Sequence, residues 1–106
     1  MKTNKKANSL YRKGLSSIGT GDFSKAIDDF SQAIKLDPNN PEFFHSRGIS
    51  YNRLSEFSKA IDDFSQAIKL NPNNPEFFKS RGISYKKLSE FSKAIDDFGE
   101  LTELLV

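Results

Sequence analysis

The chain repeats itself at a fixed interval, and that interval limits its fold more than any other feature. Phe23–Leu36 (FSKAIDDFSQAIKL) recurs unchanged at Phe57–Leu70, and residues 41–64 recur at 75–98 with three differences. Both offsets are 34 residues. A repeat of this length is one supersecondary unit, too thin to bury its own apolar face, so neighbouring units must stack to share a core. The units run 7–40, 41–74 and 75–106, the last two residues short, behind an expected disordered tail at 1–6. Units this alike point to recent duplication or to deliberate idealisation.

Apolar residues recur at helical spacing twice within each unit. The first helix opens at Asn40-Pro41-Glu42 and Asn74-Pro75-Glu76. That order gives a capping Asn, a Pro where no amide needs a partner, and an acid at the positive end of the helix dipole. Phe44, Gly48, Tyr51 and Leu54 then follow at helical spacing. The second helix is expected from near Ser55, with Phe57, Ala60, Ile61, Phe64, Ala67 and Ile68 on one face. It stops at Asn71-Pro72, because proline disfavours helix in the residue before it. The short connection makes each unit an antiparallel hairpin. The expected fold class is therefore all-α, a stack of three hairpins and six main helices.

Small residues mark where backbones approach. Gly14, Gly48 and Gly82 share one repeat position, and Ala26, Ala60 and Ala94 share another. A glycine inside a helix costs about 1 kcal/mol relative to alanine, so its recurrence implies a packing reason.

Composition narrows the function. The 16 basic and 14 acidic residues leave a formal charge of +2, too balanced for a nucleic-acid protein. Lys2, Lys5 and Lys6 account for much of the N-terminal excess and read as a solvated tail. There is no cysteine, hence no disulfide and no thiolate metal site. No apolar run approaches a membrane span or a signal-peptide core, so a cytoplasmic location without membrane association is expected. His45 is the only histidine. No nucleophile, base and oxyanion donor gather in the pattern, so neither an enzyme nor a cofactor is expected. Gly19-Thr20-Gly21-Asp22 lacks the Gly-Lys-Ser/Thr of a phosphate loop and reads as the turn of the first hairpin, with Asp22 its cap. The pairs Asp28-Asp29, Asp62-Asp63 and Asp96-Asp97 point about 100° apart on a helix and do not converge as acid and base. Lys25, Lys59 and Lys93 precede the second Asp of each pair by four residues, which suits ion pairs.

Phe44, Gly48, Tyr51, Ala60, Phe64, Ala67 and Pro72 follow the order aromatic, Gly, Tyr, Ala, Phe, Ala, Pro. In this the chain resembles the tetratricopeptide repeat (TPR) family over about 100 residues. The resemblance implies a right-handed superhelical stack whose first helices line a concave groove that binds a protein or peptide. Two residues depart from the family pattern. Lys13, Arg47 and Arg81 stand where it usually has Leu, and Leu101 stands where the small second Ala belongs. An arginine on that half-buried face needs a carboxylate: Asp29 or Asp63 for Arg47, Asp63 or Asp97 for Arg81, with Lys13 and Asp29 a weaker version.

The positions that the resemblance assigns to the groove hold Asn8, Tyr11, Leu15, Ile18 and Gly19, then Glu42, His45, Ile49, Asn52 and Arg53, then Glu76, Lys79, Ile83, Lys86 and Lys87. The three differences between units two and three, His45/Lys79, Asn52/Lys86 and Arg53/Lys87, all belong to that set. The expected groove has an apolar row of Leu15, Ile49 and Ile83 and becomes basic toward the third unit. It suits a peptide with apolar anchors and acidic groups. Some TPR relatives clamp the terminal carboxylates of heat-shock chaperones with Lys, Asn, Asn, Lys and Arg. The matching positions here hold Tyr11, Leu15, Ser46, Glu76 and Ser80, none of which carries the required group. The alternative expectation is self-association through the apolar end Leu101, Leu104, Leu105 and Val106, giving a homo-oligomer.

Overall fold

In the computed structural model, which describes residues 4–106, the chain forms six helices: α1 (Lys5–Gly19), α2 (Phe23–Leu36), α3 (Pro41–Arg53), α4 (Phe57–Leu70), α5 (Pro75–Lys87) and α6 (Phe91–Leu105). No strand occurs among the described residues. The starts of α2, α3 and α5 are those that the capping residues specify. Asn40 and Asn74 each accept a hydrogen bond from the amide two residues on, at 3.0 Å, with proline at the first helical position. Asp22 caps α2 through the Lys25 amide at 3.1 Å.

The N-terminal boundary differs from expectation. Lys5 and Lys6, assigned to a disordered tail at 1–6, form the first turn of α1; residues 1–3 of that tail lie outside the described residues. The cause is Asn4. Its side-chain oxygen accepts from the Ala7 amide, and its side-chain amide donates to the Leu36 carbonyl at the far end of α2, both at 3.0 Å. One residue thus caps α1 and ties it to α2. The start of α4, expected near Ser55, falls at Phe57, because Ser55 adopts the left-handed conformation (φ 59°). Ser89 does the same at φ 60°, and the first unit has Gly21 there at φ 82°.

The recurrent glycine has a steric cause. A Cβ on Gly48 would lie 2.6 Å from Phe64 Cε1, and one on Gly82 would lie 2.7 Å from Phe98 Cε1. Gly14 meets Phe30 in the same way. Each glycine therefore lets the aromatic ring of the second helix lie against the backbone of the first. That contact closes the hairpin, at a packing distance that no other residue permits.

Hairpins then stack through the second helix of one unit and the first helix of the next, α2 on α3 and α4 on α5. Phe30, Phe43, Phe64 and Phe77 are fully buried in these junctions. Each contributes about 1.5–3 kcal/mol by leaving water. At the first junction Phe43 packs with Ala7 and Ala33, flanked by Leu10, Tyr11 and Ile34. Phe44, the aromatic landmark of the repeat, is only half-buried, because α3 has two buried sides and Phe43 takes the one facing the preceding unit. Ser50 and Ser84 are also fully buried, the Ser50 hydroxyl donating to the Ser46 carbonyl four residues back.

Curvature follows from which helices meet. α1 touches α3 and α3 touches α5, whereas α2 and α4, or α4 and α6, do not touch among the described residues. The first helices therefore lie on the inner side of the stack and the second helices on the outer.

Candidate peptide-binding surface

The inner surface is held in place by charged pairs behind it. Arg47 donates from Nε to one Asp63 oxygen and from Nη2 to the other, both at 2.8 Å, and from Nη1 to Ser31 Oγ of the preceding unit at 3.0 Å. Arg81 repeats this with Asp97 (2.9 and 2.7 Å) and Ser65 (3.1 Å). The acceptor is thus the Asp of the same unit, Asp63 for Arg47 and Asp97 for Arg81, while the serine supplies the link across the junction. Phe44 and Tyr51 flank the Arg47 guanidinium, each with its ring centroid 5.8 Å away. Hydrogen bonding to Asp63 raises the Arg47 pKa above its usual value. Burial pushes the Asp63 carboxyl up, against the downward pull of Arg47. In the first unit Lys13 is exposed, and Asp29 pairs instead with Lys25 at 3.3 Å.

The residues assigned to the groove divide into two groups. Tyr11, His45 and Asn52 are half-buried and join consecutive first helices. Tyr11 Oη and Ser46 Oγ share a hydrogen bond at 3.3 Å, and His45 Nε2 and Ser80 Oγ share one at 3.0 Å. The Ser84 hydroxyl donates to Asn52 Oδ1 at 2.8 Å. The Tyr11 ring lies against Phe30 and Phe43, and the His45 ring occupies the matching place between Phe64 and Phe77. Burial lowers the His45 pKa, with Glu76 opposing, so the ring is neutral near pH 7. Arg53 is also engaged, its guanidinium 4.7 Å above the Phe23 ring of the preceding unit.

Two of the three differences between units two and three thus coincide with a junction. His45 and Asn52 each bond a serine of the following unit. Lys79 and Lys86, at the same repeat positions, are exposed. Sequence periodicity placed all of these residues on one face but did not separate those that join units from those that point outward.

The second group is free. Leu15 is 42% exposed and Ile83 40%, with Ile49 half-buried between them. Lys79, Lys86 and Lys87 are exposed on α5 and form no ion pair among the described residues. Glu42 and Glu76 are exposed as well, while Asn8 and Ile18 are half-buried and Gly19 is exposed at the end of α1. At the other end of the stack Leu101 and Leu104 are half-buried, whereas Leu105 and Val106 are exposed. No group of three or more His, Cys, Asp or Glu side chains gathers as metal donors among the described residues. No helix among them is long and apolar enough to cross a membrane.

Known proteins match this architecture. A family model described as tetratricopeptide repeat matches residues 41–74, and one described as TPR repeat matches residues 19–55. None of the curated proteins matches the chain in sequence. Among solved structures, the first TPR of Spaghetti (RPAP3), bound to the HSP90 peptide SRMEEVD, is similar with a TM-score of 0.93 and 29% identity. The match covers 96% of this chain and 81% of that one. The second TPR of Spaghetti (RPAP3), bound to the same peptide, gives 0.91 and 25%, covering 94% and 93%. The first TPR domain of human RPAP3 gives 0.89 and 29%, covering 93% and 78%. Three hairpins spaced 34 residues apart, the Gly–Phe contact that closes each and the matches over residues 19–74 agree: the chain belongs to the tetratricopeptide repeat family.

Proposed function

We propose that the chain is a protein-interaction module that binds a peptide segment along the inner surface of α1, α3 and α5. The observation that carries this reading is the exposure of Leu15 and Ile83 on the side of the stack where Lys79, Lys86 and Lys87 stand without ion partners. Isolated exposed apolar side chains are ordinary. A row of them ending beside three free cations suits a segment with an apolar anchor followed by acidic groups.

The ligand differs from that of the RPAP3 domains. A chaperone tail such as SRMEEVD offers clustered carboxylates, and the positions that would receive them carry no cation. Ser46 and Ser80 are bonded to Tyr11 and His45, and Glu76 is an exposed acid at one of those positions. We therefore expect SRMEEVD to show no saturable binding by titration calorimetry.

A peptide-library screen tests the reading directly. Acidic-apolar peptides should be enriched by the native chain, and their affinity should fall about 10-fold or more when Lys79, Lys86 and Lys87 are changed together to Glu. These side chains are exposed, so the variant should keep its fold. A peptide profile unaltered by the triple change would rule the basic surface out.

A further inference from the structure

Along α3, His45 bonds Ser80 of α5 and, seven residues later, Asn52 bonds Ser84. The two helices therefore run in the same direction, and the Tyr11–Ser46 bond sets α1 beside α3 in matching register. Around the α3 axis, His45 and Asn52 turn to the following unit. Ser46 and Arg53 turn to the preceding one, to Tyr11 and Phe23. At about 100° per residue, Ile49 falls midway between these two sides, and Glu42, two turns earlier, falls about 20° from it. Both point into the concavity.

Repetition every 34 residues turns this arrangement into rows. Leu15, Ile49 and Ile83 run along the middle, Glu42 and Glu76 along one side, and Arg53 and Lys87, joined by Lys86, along the other. Measured along the helix axes, the acidic row lies about 10 Å from the apolar one and the basic row about 6 Å. Glu42, Glu76, Arg53, Lys86 and Lys87 are all exposed, and none is in an ion pair among the described residues. Acids in a first turn and bases in a last turn also suit the helix dipole, yet α1 forms with neither. Lys79 stands between the acidic and apolar rows, on the side that His45 turns to the following unit, and makes the α5 end the more basic.

We propose that the partner segment is an amphipathic α-helix laid across α1, α3 and α5. Its apolar stripe rests on Leu15, Ile49 and Ile83, its acidic flank faces Arg53, Lys86 and Lys87, and its basic flank faces Glu42 and Glu76. This rests on the reading of the inner surface as a peptide site and adds the partner's shape and charge pattern. Helices packed side by side lie about 8–10 Å apart, so the apolar row repeats at nearly the rise of seven helical residues, about 10 Å. Apolar residues one heptad apart on the partner therefore meet the three side chains in turn. In a strand, side chains on one face recur at about 7 Å and point only two ways. They fall out of step with the row and cannot address both charged sides. A polyproline II segment repeats at about 9 Å, but its slim backbone runs between charged rows about 16 Å apart, whereas an α-helix with its side chains is about 10–12 Å across.

Synthetic peptides of about 18 residues, about 27 Å long as helices, test this by calorimetric titration into the full chain. All carry leucines one heptad apart. The peptide with one acidic and one basic flank should bind, and the mixture should show more helical circular dichroism than the sum of its components. A proline at its centre should lower affinity about 10-fold or more. The peptide with two acidic flanks should bind about 10-fold or more weakly than the split one, and Glu42→Lys combined with Glu76→Lys, both exposed, should reverse that order. Equal binding by the proline peptide, binding without gain of helix, or preference of the native chain for two acidic flanks would overturn the proposal and leave the peptide-site reading standing. So would failure of these peptides where library peptides bind and respond to the lysine changes. Failure of both sets would overturn both readings.

Discussion

An arginine buried against a carboxylate is costly to leave half-made. Asp63 has a side chain only 6% exposed and receives both its charged hydrogen bonds from Arg47. Changing Arg47 to Leu, the usual family residue, would leave that carboxylate buried without a cation. We expect a loss of about 3 kcal/mol, at the low end for breaking a buried pair because the guanidinium itself keeps some solvent contact. Adding Asp63→Ala should recover more than half of it, and urea unfolding of the two single variants and the double gives the coupling directly. His45 supplies a pH dependence. Its folded pKa lies below the ordinary 6.5, so the folded chain binds fewer protons there than the unfolded chain. The stability this contributes is present above about pH 6.5 and is lost as pH falls through the lowered folded value. His45→Tyr restores the residue that the first unit carries at this position, Tyr11, and removes the titration. Unfolding midpoints at about pH 7.5 and about pH 5 should fall further for the native chain than for the variant. Equal declines would mean that His45 does not titrate with folding.

Between the helices of units two and three lie Ser55 and Ser89, both held in the left-handed region. For a residue with a Cβ this conformation costs roughly 1–2 kcal/mol, and glycine avoids the cost. The first hairpin uses Gly21 there, and the turn is otherwise the same length. Ser55→Gly should therefore stabilise the chain by about 0.5–1 kcal/mol, the gain being reduced by the greater freedom of glycine in the unfolded chain. A rise in thermal midpoint checks this; a fall would mean that Ser55 makes a compensating contact. The same elements show how far periodicity reads. The starts of α2, α3 and α5 followed from Asp22 and the two Asn-Pro pairs, which act within one turn, so they were legible. The strained serine was not, because nothing in its neighbours distinguishes a left-handed serine from an N-cap.

Across the whole molecule, stability should be highest in the middle. α3 and α4 are packed on both sides by neighbouring units, whereas α1 and α6 each have one outer face without a packed neighbour. In a stack where each unit gains only from its neighbours, the ends open first. Amide exchange, measured where the chain is dilute enough to be monomeric, should be slowest in α3 and α4 and faster in α1 and α6. Slowest exchange in α6 under those conditions would contradict nearest-neighbour stacking. Of the set expected for terminal self-association, Leu101 and Leu104 are half-buried while Leu105 and Val106 are exposed, and Phe91 and Ile95 on the same helix are exposed as well.

The 34-residue period, the caps and the recurrent glycines were enough to specify three hairpins, because hairpin formation is governed by residues close in sequence. What periodicity leaves undetermined is the angle at which one hairpin sits on the next. That angle decides that Phe43 rather than Phe44 enters the junction, and that Arg47 takes its own unit's Asp63 and the preceding unit's Ser31. It also turns His45 and Asn52 toward the serines of α5. A helical wheel gives a side chain's direction around its own axis. Whether that direction meets a neighbouring unit or solvent depends on packing between residues some 16 to 35 apart in the sequence, and only the assembled stack contains it.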